Sequence, residues 1–176
     1  KLEIAIKSGK IKAIGEIGLD YYWDKSHEKE QINVFTRQIE LSIKYNLPIS
    51  IHMRDSTQDV YDIIKSYEGQ LRGVMHCYSG SLEMAKSFIK QGFFISFGGI
   101  LTFKNAKQNV EVAKQLPLEW ILTETDGPYL TPHPFRGKLN EPMYVKYVGE
   151  KLAQLKESDN FTIQSQIMKN YKRLFY

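Results

Sequence analysis

Residues 121–130, ILTETDGPYL, run from a β-rich apolar segment straight into two carboxylates, Glu124 and Asp126, and then break at Gly127-Pro128. A desolvated carboxylate at the tip of a buried strand costs several kcal/mol unless a cation or donors receive it. The meaning of this tip depends on whether it stands alone, and it does not. Similar short runs occur at IKAIGEI (11–17), PISIH (48–52), GVMHC (73–77), FFISF (93–97) and WILTE (120–124). Helical spacing separates them: Ile32, Phe35, Ile39 and Ile43 recur at three and four residues, as do Val60, Ile63, Ile64 and Tyr67. Ser81 is placed to cap a helix carrying Leu82, Ala85, Phe88 and Ile89, and Gly92 is placed to end it. Two more helices follow, one through Val145, Val148, Leu152 and Leu155, the other through Ile163, Ile167, Tyr171 and Leu174.

Strands that alternate with helices imply right-handed crossovers and a parallel sheet, hence an α/β fold. A complete (β/α)₈ barrel takes roughly 250 residues, about 31 per unit. Five strands in 176 residues therefore match the density of a barrel lacking three units. A doubly wound sheet of five strands has the same periodicity and is the rival. Residues 1–176 read as one domain without linker or low-complexity tract. Because Lys1 opens directly into an amphipathic pattern, the expectation is that an N-terminal part precedes it.

Composition narrows the chemistry. An apolar content of 42% with 25% charged residues excludes disordered and fibrous classes. The single cysteine, Cys77, forbids an internal disulfide and a thiolate zinc cluster, so a metal would have to be held by His, Asp and Glu. No apolar run approaches the ~20 residues of a membrane span, and no signal-peptide pattern occurs, which makes the cytoplasm the expected location. The net charge of +4 is spread along the chain; it permits a nucleic-acid substrate without arguing for one.

In a parallel sheet, catalytic residues gather at the C-terminal strand ends, which open on one face. Here those ends carry Glu16, His52, His76, Glu124 and Asp126. A single such histidine is more often structural, and Glu16 or Asp126 alone could serve a buried cation or a turn. Together they form a ligand set suited to Zn²⁺ or Mn²⁺. Other features are weaker. GEIGLD (15–20) is not GxGxxG and no helix opens after it. Cys77 is expected on the opposite side of the strand from His76, as a small buried residue. His27 and His133 read as surface residues. Tyr21, Tyr22 and Trp23 either stack on a base or cover the barrel end, with equal weight.

The segments GEIGLDYYWD, LPISIHMRD, GVMHCYSGS, FFISFGGILTFKN and ILTETDGPYLTPHPFRGKLNEPMYV, in that order, resemble the TatD family of metal-dependent deoxyribonucleases. The resemblance runs from about residue 10 to the C-terminus, and the ETDGPYLTP…RGKLNEP block is the most specific part. It implies a TIM barrel of the metal-dependent hydrolase type, here with about five of eight βα units. It also implies a site with two divalent cations (Zn, Mn or Mg) and DNase activity, often exonucleolytic. It assigns Glu16 as the carboxylate bridging the two metals, His52 and His76 as ligands of one metal, and Asp126 as ligand of the other and general base. Glu124 becomes an outer or proton-handling carboxylate, and Arg54, Arg136 and Asn140 substrate-side residues. The chain departs from the family in lacking an HxH pair, which leaves one metal with only Glu16 and Asp126 and implies weak catalysis by this stretch alone. Two other readings stand beside the nuclease: hydrolysis of another ester such as an aminoacyl-tRNA linkage, and a non-catalytic fragment. DNA is the expected partner, and open barrel edges imply self-association.

Overall fold

Each of the five apolar runs becomes a strand: β1 (Ile14–Asp20), β2 (Ile49–Arg54), β3 (Gly73–Met75), β4 (Phe93–Phe97) and β5 (Ile121–Thr123). The computed structural model describes all residues, Lys1–Tyr176. Between and around the strands lie α1 (Leu2–Lys7), α2 (Glu28–Lys44), α3 (Thr57–Ser66), α4 (Leu82–Lys90), α5 (Lys107–Gln115), α6 (Val145–Leu155) and α7 (Asn160–Phe175). None of these helices is long and apolar enough to cross a membrane.

All neighbours pair in parallel, in the order β1-β2-β3-β4-β5. This order decides between the two rivals. A doubly wound sheet reverses direction after its first strand and carries helices on both faces. Strands added always on the same side, through crossovers of one hand, leave the connecting helices on one face, as in a barrel wall. The fold is thus a five-stranded arc of TIM-barrel type that stays open between β1 and β5.

Strand alternation sorts the two faces. Ile49, Ile51, Met75, Phe93, Ile95, Phe97 and Ile121 point to the helices and join Phe35, Ile39, Val60, Ile64, Phe88 and Leu152 in a core of 27 buried residues. Burying a side chain such as Phe93 contributes about 1.5–3 kcal/mol. The opposite face begins apolar, where Val74, Phe94 and Leu122 pack on Leu174 of α7. It turns polar toward the C-terminal strand ends.

Local signals behave as their chemistry requires. Ser81 Oγ accepts from the Met84 N–H at 3.2 Å and caps α4, and Gly92 follows that helix at φ +87°. Gly18 sits at φ +142°, where an added Cβ would lie 1.9 Å from the His52 carbonyl oxygen, so the glycines of GEIGLD serve close strand approach. Several boundaries differ from the sequence reading. β1 continues four residues beyond Glu16 to Asp20, with a register shift between Ile14 and Ile17. Glu16 therefore lies within a strand, at an irregularity that re-aims its side chain. β3 and β5 stop at Met75 and Thr123, just short of His76 and Glu124. Finally, α5 escapes periodicity because KQNVEVAKQ buries only Val112 and Ala113.

Candidate metal centre

His76 leaves the end of β3 with its N–H donated to the Ile51 carbonyl at 2.9 Å, which extends the β2–β3 pairing and fixes the backbone. Its ring then meets carboxylates on both edges. Nδ1 lies 2.9 Å from Glu124 Oε2, and Nε2 lies 3.6 Å from Glu16 Oε1 and 3.4 Å from Asp126 Oδ1. The other oxygen of Glu124 accepts the Cys77 N–H at 2.5 Å, so the carboxylate is held at both ends. With Nδ1–H donated to Glu124, Nε2 faces the two remaining acids and, in the protonated ring that they favour, points its N–H at them; a bound cation would take that proton's place. A carboxylate behind a histidine, fixing its tautomer and orientation, is the usual support of a metal-binding imidazole.

Glu16, His76 and Asp126 each offer one ligand atom, all within 4.8 Å of one another. Cys77 and Asp126 are both held in the left-handed region, at φ 43° and 57°, a conformation that costs on the order of 1–3 kcal/mol each in non-glycine residues. Asn140 secures the loop bearing Asp126: its Nδ2 donates to the carbonyls of Thr125 at 2.7 Å and Tyr129 at 2.5 Å.

The charge balance of this cluster is lopsided. Burial opposes a charge on His76, but the hydrogen bond and charge of Glu124, with Glu16 and Asp126 adding theirs, hold its pKa up at about 9. Burial raises the Asp126 carboxyl above its ordinary value, and the charges of Glu124 and Glu16 add to the effect. Three carboxylates thus crowd one imidazole, and oxygen and nitrogen donors of this kind fit a divalent cation. Cys77, contrary to the sequence expectation, lines the same cavity as His76, because the chain turns at its positive φ. Burial, followed by the charges of Glu124, Asp126 and Glu16, pushes its thiol up to about 12, so it stays protonated and is no nucleophile.

A cavity of about 450 Å³ gathers Glu16, His52, Arg54, His76 and Asp126 on its walls. His52 does not turn into the triad; its Nε2 lies 2.9 Å from Asp20 Oδ2. Burial acts against ionisation of Asp20, yet the Tyr22 N–H and His52 hold its pKa below the ordinary value. Asp20 is the site residue that sequence reasoning missed. The signal was present, since two-residue alternation from Glu16 through Gly18 carries Asp20 to the same face. The three residues assigned to substrate separate. Arg54 lines the cavity, with its guanidinium 3.6 Å over the Tyr22 ring. Arg136 is exposed outside it and stacks 3.6 Å over Phe103. Asn140 is 5% exposed and lies behind the Asp126 loop, a position for holding that loop rather than for touching substrate. His27 and His133 are exposed.

The sequence and the fold resemble those of known proteins. A family model described as TatD related DNase matches residues 1–176. YabD of Bacillus subtilis, named an uncharacterized metal-dependent hydrolase, is 54% identical over 167 residues, covering 94% of this chain and 66% of that protein. YcfH of Escherichia coli K12, named likewise, is 38% identical over 167 residues, covering 94% of this chain and 63% of its own length. The chain therefore spans about two thirds of the length of these relatives. Among solved structures, YjjV, a TatD homologue from Escherichia coli K12, superposes with a TM-score of 0.93 at 31% identity, over 99% of this chain and 68% of that one. A TatD-family hydrolase from Entamoeba histolytica gives 0.83 at 25% identity, over 98% and 65%. With the family model matching the whole length of the chain and the fold in agreement, this protein belongs to the TatD-related DNase family.

Proposed function

We propose that the protein is a metal-dependent hydrolase that cleaves phosphodiester bonds in DNA, drawing on a pair of divalent cations. The observation that carries this reading is the convergence of Glu16, Asp126 and the Glu124-oriented His76 on one point. Glu16, His76 and Asp126 are the residues that would hold metal, with His52 the next imidazole on the same wall. Bound there, the cations would polarise a phosphoryl oxygen and acidify water.

The chain's own groups divide the remaining work. Asp126, on the cavity wall beside Glu16 and His76, is the carboxylate placed to accept a proton from the attacking water. Glu124 keeps the imidazole of His76 in one tautomer and one orientation. Arg54 places a fixed positive charge on the cavity wall, where it balances the phosphate. The test is metal-dependent release of nucleotides from single-stranded DNA by the full-length protein, with and without chelator. Asp126→Ala should lower kcat/KM by about 10²–10⁴-fold, and Glu16→Ala should act in the same direction. Unchanged activity in both variants would remove the assignment.

A further inference from the structure

The three aromatic residues after β1 part company in the fold. Tyr21 is 6% exposed and donates its hydroxyl to Asp59 Oδ2 at 2.9 Å, which accounts for it as a structural residue. Tyr22 and Trp23 are 50% and 81% exposed, so neither covers the end of the barrel wall. Leaving two large apolar rings in water forfeits the burial that would stabilise them, and their arrangement is ordered: the rings meet edge to face at 4.7 Å. The Arg54 guanidinium carbon lies over the Tyr22 ring, 3.6 Å from its centre, and 5.8 Å from the centre of the Trp23 ring. Arg54 also connects two spaces. It lines the cavity that holds Glu16, His76 and Asp126, and it lines an adjoining hollow of about 330 Å³ together with Tyr22 and Ser79.

We infer that Tyr22, Trp23 and Arg54 form a stacking subsite for one unpaired nucleobase next to the phosphodiester being cleaved. This rests on the phosphodiesterase reading above. The open face of the Trp23 indole receives the base, while Arg54, one linkage nearer the acids, takes the phosphate and is held in place by Tyr22. A base in a duplex has both faces occupied by its neighbours, so the subsite selects single-stranded or frayed ends. It is tolerant of sequence, because every base has a π-face.

The experiment measures binding apart from cleavage. With the full-length protein in chelator, fluorescence anisotropy is recorded for a labelled short oligothymidylate and for the same backbone made abasic. The wild type should bind the base-bearing strand on the order of 10-fold tighter. Trp23→Ala should bring the two affinities together, and Trp23→Phe should keep part of the difference. Arg54→Lys should weaken both strands while leaving a preference for bases. Equal binding of both strands by the wild type, no binding of either, or full discrimination in Trp23→Ala would each overturn the subsite. Hydrolysis with metal restored is assayed in parallel. If it is missing while base discrimination stands, the nuclease reading fails and the subsite does not; if hydrolysis is intact but Trp23→Ala changes nothing, only the subsite fails.

Discussion

The two faces of one sheet divide the tasks of this protein. On β4, Phe93, Ile95 and Phe97 turn to the helices and are at most 1% exposed. On the other face, the segments that continue β3 and β5 bring His76 and Glu124 into contact, with Asp126 and Glu16 close by. Neighbouring residues thus serve cohesion or chemistry according to their parity and their distance from the C-terminal strand ends. The lesson is that the polar face can be strained and crowded with like charge because the apolar face, with its 27-residue core, holds the strands regardless.

Substitutions on the two faces should accordingly fail in different ways. The largest expected effect is on the polar face: His76→Ala removes the one nitrogen in the ligand triad and should weaken metal affinity by about 10³-fold or more, read by metal titration calorimetry. Its thermal midpoint should fall less than that of a core variant. Next comes Phe93→Ala on the apolar face, expected to cost about 3–5 kcal/mol in chemical denaturation while the folded fraction binds metal as before. A Phe93→Ala protein that is stable but has lost its metal affinity would break the separation of faces.

Glu124→Gln tests the support behind His76. An amide has a donor end, which must face either the Cys77 N–H or the imidazole N–H, so one bond is lost and metal affinity should drop about 10–100-fold. If the affinity does not change, Glu124 is not the group that orients the ring. The effect of pH is graded, the smallest for a single step of one unit. Metal binding must displace the His76 proton, so apparent affinity should rise about tenfold per pH unit and level off near a pH of about 9. The metal-free protein should show the reverse trend. A folded pKa raised from 6.5 to about 9 gives stability that is fully present below 6.5 and lost as pH climbs through about 9. Urea midpoints across that range check the sign, and a flat profile would mean that the acids do not hold the proton.

Much of this was legible in the residues themselves. Ser81 capped the helix it precedes, and Glu16, His52, His76 and Asp126 from four strand ends line one cavity because strand parity and crossover hand are short-range rules. Two of the misreadings lie at strand ends. Asp20 was passed over because the first apolar run was ended at Ile17 whereas β1 continues to Asp20, and Cys77 was turned the wrong way because its positive φ resets the alternation just past β3. Asn140 reads as a substrate contact until its burial against the carbonyls of Thr125 and Tyr129 is known.

Taken alone, then, the sequence determined that this is a parallel α/β protein with carboxylates and histidines delivered to one rim, since those features follow from periods of two and 3.6 residues. Only the tertiary structure decided that the strands add in sequential order as a barrel wall does. It also decided that His76 pairs with Glu124 while His52 pairs with Asp20. The strand partners lie 20 to 35 positions apart and the two histidine pairings 32 and 48, where no local periodicity reaches and only the packing of the whole sheet selects the partner.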